Sequence, residues 1–304
     1  MAKTNSILAI AQGNGSDAVL LAKAAALARA FGFALELFLC DAEQAYALKH
    51  AYQPTGRDKA MVDCVARAKA YLAGQRKLID PAVSAVAIDA TCESPLFEGI
   101  VHKVQRSHPE WVVKAAGGID GRGHSAFDEN DWQLMRTCPA TLTLVQQRHW
   151  RKRLRIGAAI DVSDHETEGL AATIIRIARR LALATGGELE LLYAEPLRSE
   201  SPEGRTHAAR LRTLARQADL DEQHTHILSG TPEQELAAFA AGRDYDVLAL
   251  GALTHRRAPV RLVGTLTSTL VEALESDFLL IKPGASAALE RAARRAAPNS
   301  AAAH

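Results

Sequence analysis

The sequence predicts an α/β fold made of two tandem domains, each with a parallel sheet covered by helices. Two observations predict it. The chain has 304 residues, roughly twice the usual length of one domain. A strand pattern, a polar turn, a helix pattern and a second strand pattern follow one another near its start, and the same succession returns in the second half. Strand, helix, strand at this spacing is a βαβ unit, and its return predicts a duplicated domain.

The first half begins with a short apolar run at 6–11 that is typical of a strand. Residues 17–31 have the Ala, Leu and Val content of a helix, and 34–40 form a second strand-like run after the Gly32 break. A polar residue before a Pro marks a helix start. The other elements predicted for this half are a third strand at 83–90, a helix that starts at Ser94-Pro95, a fourth strand at 111–115, a helix at 131–136 and a fifth strand at 140–145.

The second half repeats this layout with shorter connections. After a strand at 154–160 and the turn Asp161-Val-Ser-Asp, the predicted elements are a helix at 168–184 that stops at Gly186-Gly187, a second strand at 188–194, a third at 224–228, a helix from Thr231-Pro232, a fourth strand at 247–250, a helix at 266–274 and a fifth strand at 278–281. Matching the halves predicts an insertion in the first half around 46–74. We therefore expect one domain at 1–148, a second at 152–283 and an Ala/Arg-rich tail at 284–304.

The charge balance argues against nucleic acid as a partner. Lys and Arg total 36 against 35 Asp and Glu, a net charge of +1. Such a chain has no long-range field to attract nucleic acid or an anionic membrane. A basic run at 148–155, RHWRKRLR, joins the halves, and we interpret it as a solvated linker because Trp150 is its only aromatic residue. Binding is therefore expected at a local site for a small molecule.

The apolar segments and the cysteines indicate a cytoplasmic protein. The run at 7–11 is too short for the core of a signal peptide, and no stretch approaches the 18 or so apolar residues of a membrane span, so we expect no membrane insertion. The four cysteines, Cys40, Cys64, Cys92 and Cys138, form no CxxC motif, which favours reduced thiols.

The most specific motif lies at 251–283, GALTHRRAPVRLVGTLTSTLVEALESDFLLIKP. It resembles the last third of a universal stress protein domain. Nucleotide-binding members of that family carry Gly, two residues, Gly, nine residues and Gly-Ser/Thr between strand four and helix four. Here Gly251, Thr254 and Gly264-Thr265 keep that spacing, with Thr254 in place of the second glycine. Together with DWQLMRTCP at 131–139, the two-domain length resembles the tandem type of the family, and the resemblance covers 5–283.

The resemblance implies two flavodoxin-like or Rossmann-like domains, each with five parallel strands in the order 3-2-1-4-5, and a binding or regulatory role in the stress response. It also implies an adenine nucleotide, ATP, in the second domain, with Asp161 on the adenosine and the phosphates near the start of the fourth helix. The implied cofactor-binding residues are Asp161, Ala194, Gly251, Thr254, Gly264, Thr265, Leu266 and Thr267. Some relatives hydrolyse ATP slowly, but the sequence supplies no evident general base, and we predict no catalytic residue and no metal ligand.

The chemistry of these residues suits a phosphate-bearing ligand without reference to the family. In an open parallel sheet, ligands bind at the carboxyl ends of the strands where the strand order reverses, which brings Asp161 and the loop after Gly251 together. Gly264-Thr265 opens a helix, whose free N–H groups favour a phosphate, and the hydroxyls of Thr265, Thr267 and Ser268 add donors. Thr254 departs from this pattern, because a β-branched residue disfavours positive φ. Binding and non-binding therefore both stay open.

The first half departs further from the nucleotide-binding pattern. Ala11 stands at the position of Asp161, Ala115 and Gly118 at those of the two glycines, and Asp128-Glu129 where Gly-Ser/Thr belongs. Two carboxylates at a helix start repel a phosphate, although they suit the helix dipole. We expect a degenerate domain that binds no ATP and packs against the second half as a built-in pseudo-dimer partner. A homodimer of whole chains stays possible.

Two other functions remain as alternatives. The protein is an interaction scaffold, or a holder of an apolar ligand, if neither crevice takes a nucleotide; Thr254 and the first half favour this. A dinucleotide-dependent oxidoreductase rests on Gly13-x-Gly15-x-x-Ala18, with Asp41 as the ribose-binding acid, against a plain tight turn. His224 and His226 share a strand face, but no third metal ligand is near in sequence.

Overall fold

The computed structural model of the chain describes residues 5–51, 56–119, 125–164, 166, 169–196, 201–252 and 265–282. The strands in these ranges are β1 (Ser6–Ala11), β2 (Ala34–Cys40), β3 (Val86–Thr91), β4 (Trp111–Ala115), β5 (Gly118–Ile119), β6 (Ser125–Ala126), β7 (Thr141–Val145), β8 (Arg155–Ala159), β9 (Glu188–Glu195), β10 (Thr225–Ser229), β11 (Val247–Gly251) and β12 (Asp277–Ile281). The helices are α1 (Ala18–Phe31), α2 (Ala42–His50), α3 (Arg57–Arg76), α4 (Leu96–Ser107), α5 (Glu129–Thr137), α6 (Leu170–Thr185), α7 (Pro202–Gln217), α8 (Pro232–Arg243) and α9 (Thr265–Ala273).

Ten of the strands form one continuous sheet, in the order β10-β9-β8-β11-β12-β7-β4-β1-β2-β3. The expectation of two separate five-stranded sheets is corrected here, because β12 and β7, the last strand of each half, pair antiparallel with Phe278 opposite Leu144. All the other strand pairs of this sheet are parallel. The junction satisfies backbone groups that would otherwise lie unpaired at two sheet edges.

Helices cover both faces of the sheet. Buried side chains of α1, α3, α6 and α7 pack on one face, and those of α4, α5, α8 and α9 pack on the other. The inner strands are therefore buried on both sides, which explains why they are almost continuously apolar rather than alternating. The predicted α/β class with a mostly parallel sheet is confirmed.

Glycines end two helices where the sequence predicts it. Gly32 and Gly186 adopt left-handed conformations, with φ of 65° and 59°, after α1 and α6. Glycine adopts such angles without the steric cost of a Cβ. The predicted start of α4 is corrected by one position, because Pro95 has an extended ψ of 163° and is the N-cap rather than the first helical residue.

The sequence pattern did not predict the helices α2 and α3 and the β5–β6 hairpin in the first half, or the helix α7 in the second half. The helix α2 overlaps the start of the expected insertion region at 46–74 and buries only Ala45, so its sequence shows little apolar periodicity. The short hairpin of β5 and β6 follows β4. The remaining predicted strands lie within a few residues of their expected positions.

The basic run at the joint between the halves is engaged by acidic residues, not simply solvated. Arg148 forms an ion pair with Asp244 at 2.8 Å, and Arg151 pairs with Asp244 and Asp246. The Trp150 indole N–H donates to Asp277 over 2.6 Å. These contacts fix the joint against the second half and neutralise part of its charge.

Candidate functional site

A cavity of about 400 Å³ opens at the carboxyl ends of β8, β9 and β11. β8 lies between β9 and β11 in the sheet, and the helices that follow β8 and β11 pack on opposite faces. The cavity therefore lies where the strand order reverses, the usual ligand position in an open α/β sheet. Its described lining residues are Ala159, Ile160, Asp161, Ser163, Glu166, Leu170, Ala171, Ile174, Tyr193, Ala194, Glu195, Pro196, Pro232, Glu233, Leu236, Gly251 and Leu266.

Four of the eight residues predicted from the sequence line this cavity together: Asp161, Ala194, Gly251 and Leu266. The Asp161 side chain is exposed, and its Oδ1 accepts a hydrogen bond from the Ser163 N–H at 2.8 Å. Asp161 is not a helix cap, because Gly169 is the N-cap of α6. Its carboxylate is therefore held at the mouth of the cavity by the turn in which it lies.

The other predicted residues have different positions. Thr265 and Thr267 belong to α9, but neither lines the cavity, and Thr267 is buried. The Ser268 hydroxyl donates to the Thr265 carbonyl oxygen, so it is already used within the helix. Thr254 and Gly264 lie outside the described residues.

Gly251 approaches a helix rather than open space. A Cβ built on Gly251 would lie 2.8 Å from Leu170 Cδ2. Glycine at this position lets the first turn of α6 pack over the end of β11, and the Leu170 side chain then forms part of the cavity wall. The structure thus gives Gly251 a packing role, and the close approach of its backbone to a phosphate stays a prediction.

The cavity is apolar with an acidic side. Among its described lining residues are four carboxylates, Asp161, Glu166, Glu195 and Glu233, and no Lys or Arg. Glu166 is committed to the fold, since its Oε1 accepts the Ala171 N–H at 2.9 Å near the start of α6. A ligand that lies in the described part of the cavity is therefore expected to offer apolar surface and hydrogen-bond donors.

Sequence reasoning missed a buried network at the end of β9. Glu195 Oε2 accepts hydrogen bonds from the Tyr193 hydroxyl at 3.0 Å and from His207 Nδ1 at 2.5 Å. Burial, and then the hydrogen bond to Glu195, raises the pKa of Tyr193, so the phenol keeps its proton. The available signal was an acidic residue at the end of an otherwise apolar strand, next to the predicted Ala194.

A second cavity of about 550 Å³ adjoins the first and shares Asp161, Ser163, Glu166 and Ala171 with it. Thr206, Arg210, Thr213 and other residues of α7 form its far side. The Arg210 guanidinium lies 2.6 Å from Asp164 Oδ1, so its charge is partly neutralised. Asp161, Ser163 and Glu166 are therefore positioned to contact a molecule in either cavity.

At the corresponding place in the first half, backbone N–H groups donate hydrogen bonds to the side-chain carboxylates of Asp128 and Asp131. The Asp128 side chain accepts the Asp131 N–H, and Asp131 Oδ2 accepts the N–H groups of Asp128 and Gly117. Lys114 Nζ donates to Asp131 Oδ1 over 2.6 Å. Two of the N–H groups at the start of α5, those of Asp128 and Asp131, are thus already bonded within the chain. Ala11 and Ala115 are buried strand residues, and Gly118 begins β5.

The glycine-rich turn after β1 closes around a carboxylate. Asp17 accepts the N–H groups of Gln12 at 2.8 Å and Gly13 at 3.1 Å, and the Tyr71 hydroxyl at 2.7 Å. In a dinucleotide site such N–H groups would face the pyrophosphate. Asp41, the proposed ribose-binding acid, instead accepts the Gln44 N–H at the start of α2. These contacts favour a tight turn over a dinucleotide site.

The histidine pair does not join a metal site. His226 Nε2 lies 3.3 Å from Glu190 Oε2, and burial lowers the pKa of this imidazole. His224 ends a short 3₁₀ turn that precedes β10. Across the ranges that the structure covers, no group of three or more His, Cys, Asp or Glu side chains is arranged to hold a metal ion. Likewise, none of the described helices has the length and apolar character needed to cross a bilayer.

Known proteins resemble this chain in sequence, and others resemble it in fold. No protein-family model matches the chain. Over 301 residues it is 23% identical to universal stress protein E from Salmonella typhi. This match covers 93% of this chain and 96% of that protein. A universal stress protein E homolog from Haemophilus influenzae is 26% identical over 207 residues, or 61% of this chain and 66% of that protein.

Two solved structures show the same fold over almost the whole chain. One is a protein of unknown function from Pseudomonas aeruginosa, with a TM-score of 0.72, 21% identity and coverage of 96% of this chain and 98% of that one. The other is a universal stress protein from Archaeoglobus fulgidus, with a TM-score of 0.67, 14% identity and coverage of 93% and 100%. The resemblance is therefore confirmed: over almost its whole length the chain is similar to universal stress protein E in sequence, and it shares its fold with a solved universal stress protein.

Proposed function

We propose that this protein is a cytoplasmic universal stress protein that binds an adenine nucleotide, ATP, in its second domain and acts in the stress response by binding rather than by catalysis. The observation that carries the proposal is the cavity at the switch point of the second half. Four of the residues that the sequence motif and the strand ends single out, Asp161, Ala194, Gly251 and Leu266, all line it.

Each of these residues has a chemical task in the proposal. The apolar wall that includes Ala194 and Leu266 packs against the base. The Asp161 carboxylate accepts hydrogen bonds from the ribose hydroxyls, because a carboxylate is an acceptor of high strength. The phosphates extend toward the segment that contains Gly264 and toward the start of α9 at Thr265, where free backbone N–H groups favour an anion. We propose no catalytic residue.

In this proposal the two halves of the chain have different roles. Residues 152–283 form the nucleotide-binding domain, and 1–148 form a supporting domain that acts as a pseudo-dimer partner. The carboxylates of Asp128 and Asp131 support this division, since each already accepts a backbone N–H group of the other residue at the start of α5. The segment 284–304 belongs to neither domain.

A second candidate function is the binding of a neutral, largely apolar ligand. The described lining of the cavity favours it, because that lining has four carboxylates and no basic side chain to attract a phosphate. Under this proposal the first half and Thr254 need no nucleotide-binding role. Mass spectrometry of the native protein separates the two candidates: a co-purified nucleotide supports the first and a lipid-like molecule supports the second.

Titration with fluorescently labelled ATP tests the first candidate. We expect saturable binding by the unaltered protein and at least about tenfold weaker binding by Gly264→Glu, because the new carboxylate repels the phosphates. Asp128→Ala is the matched control, since it alters the corresponding place in the first half, and it should bind ATP normally. Indistinguishable weak binding by all three proteins would overturn the proposal.

A further inference from the structure

The helices α6 and α7 carry a concentration of positive charge that the chain as a whole lacks. The net charge of the chain is +1. These two helices nevertheless contain three and four arginines respectively, and their one acidic residue is Glu203. A local excess of charge of one sign attracts partners of the opposite sign even when the whole protein is nearly neutral. The surface formed by α6 and α7 is therefore suited to an acidic partner.

The second cavity, of about 550 Å³, lies between these two helices. Ala171 and Ala172 of α6 form part of one side, and Thr206, Arg210 and Thr213 of α7 form part of the other. Its described lining contains no aromatic side chain. Single-stranded nucleic acid binds largely by stacking its bases on aromatic side chains, so this lining favours a polypeptide over a nucleic acid.

Exposed arginines of both helices border the second cavity. On α7, Ala209 lines the cavity, and Arg212 and Arg216 follow it at the spacing of one helical stripe. On α6, Ala172 lines the cavity, and Arg176 follows it by one turn. All three arginines are exposed. A molecule that fills the cavity is therefore within reach of guanidinium groups on both sides.

The ion pairs that the α7 arginines form are exposed to solvent. Arg210 lies 2.6 Å from Asp164, whose side chain is 79% exposed. Arg212 lies 3.9 Å from Glu222, whose side chain is 74% exposed. Solvent screens such pairs, so each contributes little to stability. Carboxylates of a partner can therefore replace Asp164 and Glu222 at little cost.

An exposed apolar side chain lies beside these arginines. Leu183, near the end of α6, is 64% exposed. It follows Arg179 by four residues and Arg176 by seven, so it lies on the same stripe of the helix. Arginine is enriched at protein–protein interfaces, and such interfaces combine it with apolar side chains. The partner is therefore expected to offer apolar groups as well as carboxylates.

The carboxylates of the second cavity leave most of its length to such a partner. Asp161 and Glu166 belong to the end that it shares with the first cavity, and both accept backbone N–H groups. From its first to its last residue in the lining, Thr206 to Gln217, α7 runs for about 16 Å, which about five extended residues of peptide would span.

We propose that the second cavity and the arginines that border it form a docking site for an acidic, extended segment of a partner protein. Carboxylates of the segment pair with Arg210, Arg212 and Arg216, and its apolar side chains enter the cavity beside Ala172. Guanidinium groups bind carboxylates through two parallel hydrogen bonds, which gives the pairing a defined geometry. The docking site is distinct from the nucleotide site proposed above and does not depend on it.

Fluorescence anisotropy with an acidic peptide tests this proposal. The probe is a fluorescein-labelled peptide of about ten alternating Glu and Val residues, which in an extended conformation has carboxylates on one side and apolar groups on the other. We expect saturable binding to the unaltered protein at physiological salt. The same peptide with Gln in place of Glu should bind at least about tenfold more weakly.

Two double variants locate the binding surface. Arg212→Ala with Arg216→Ala should weaken binding of the Glu peptide at least about tenfold, because it removes two guanidinium groups beside the cavity. Arg57→Ala with Arg67→Ala is the matched control, since it removes the same charge from exposed positions of α3, and it should bind the peptide normally. Circular dichroism establishes that both variants are folded.

Three results would overturn the proposal: no saturable binding of the Glu peptide, equal binding of the Glu and Gln peptides, or equal weakening in the two double variants. A labelled oligothymidylate that binds the unaltered protein as tightly as the Glu peptide would also overturn it, in favour of a surface for nucleic acid. The comparisons of probes use only the unaltered protein, so they decide the question even where a variant does not fold. None of them requires ATP, so their outcome is independent of the proposed nucleotide site.

Discussion

Lys23 of α1 and Asp277 of β12 form a buried ion pair that joins the two halves of the chain. Lys23 Nζ lies 2.7 Å from Asp277 Oδ2, and each side chain is 3% exposed. Asp277 also accepts hydrogen bonds from the Gln146 N–H and the Trp150 indole. Burial lowers the pKa of Lys23 and raises that of Asp277, so each charge depends on the other to remain in the interior.

Removing one member of this pair should destabilise the protein more than removing both. Asp277→Asn leaves the Lys23 ammonium without a counter-charge, and we expect a loss of about 3 kcal/mol of unfolding free energy. In the double variant with Lys23→Met no charge is left buried, so its loss should be smaller than that of Asp277→Asn alone. Urea unfolding followed by circular dichroism measures all three.

An exposed ion pair provides the control for this cycle. Arg29 and Asp80 are also paired, but their side chains are 47% and 40% exposed. Asp80→Asn should therefore change the unfolding free energy by no more than about 1 kcal/mol. Additive losses at Lys23 and Asp277 would show that the two buried charges do not depend on each other.

The acid sensitivity of the first half should depend on Lys103. Its ammonium lies 2.7 Å from Glu36 and 2.8 Å from Asp89. Burial opposes the charge of Asp89, yet its hydrogen bond to Lys103 leaves the pKa of this carboxyl below its usual value. A lowered carboxyl pKa gives stability that is present above about pH 4 and is lost as the pH falls through the folded-state pKa. Lys103→Met should therefore flatten the acid limb of unfolding free energy against pH.

Lys69 is the matched control for Lys103. It lies 3.7 Å from Asp89, and its side chain is 49% exposed. Solvent screens such a charge, so Lys69→Met should keep most of the acid limb. An acid limb that is identical in Lys103→Met and in the unaltered protein would contradict the role of the buried ammonium.

Much of the sheet could be predicted from the sequence, because its inner strands are buried on both faces. Trp111–Ala115 and Thr141–Val145 are wholly buried, and a run of buried residues needs a run of apolar ones. The union of the two sheets could not be predicted in this way. It depends on backbone pairing between Leu142–Leu144 and Phe278–Leu280, and an apolar strand has the same sequence whether its neighbour lies in its own half or in the other.

The residues of the candidate site also differ in whether the sequence alone could identify them. Asp161 and Gly251 could be identified because both lie at the carboxyl ends of strands, beside the point where the strand order reverses and ligands usually bind. Glu195 was missed because its significance depends on His207, which comes from a separate helix and satisfies only one of the two carboxylate oxygens. No spacing within β9 indicates which oxygen a distant side chain will use.

The thiols should be unreactive while the protein is folded. All four cysteines are free and buried. Burial raises the pKa of Cys40 to about 12 and also raises the pKa of Cys138, so the reactive thiolate is scarce at neutral pH. With Ellman's reagent at pH 8 we expect less than about a tenth of the total thiol to react within minutes. Guanidinium should release all four, and rapid reaction of the native protein would contradict this prediction.

The turn after β1 should not bind a nicotinamide dinucleotide. Its N–H groups at Gln12 and Gly13 already donate to Asp17, and Tyr71 donates to the same carboxylate. Adding the protein should therefore leave NADH fluorescence unchanged. Tyr71→Phe removes one hydrogen bond to a charged group, so it should lower the unfolding free energy by about 1.5 kcal/mol without creating a dinucleotide site. A saturable rise in NADH fluorescence that Gly13→Ala abolishes would restore the oxidoreductase alternative, since φ at Gly13 is 77° and a side chain there strains the turn.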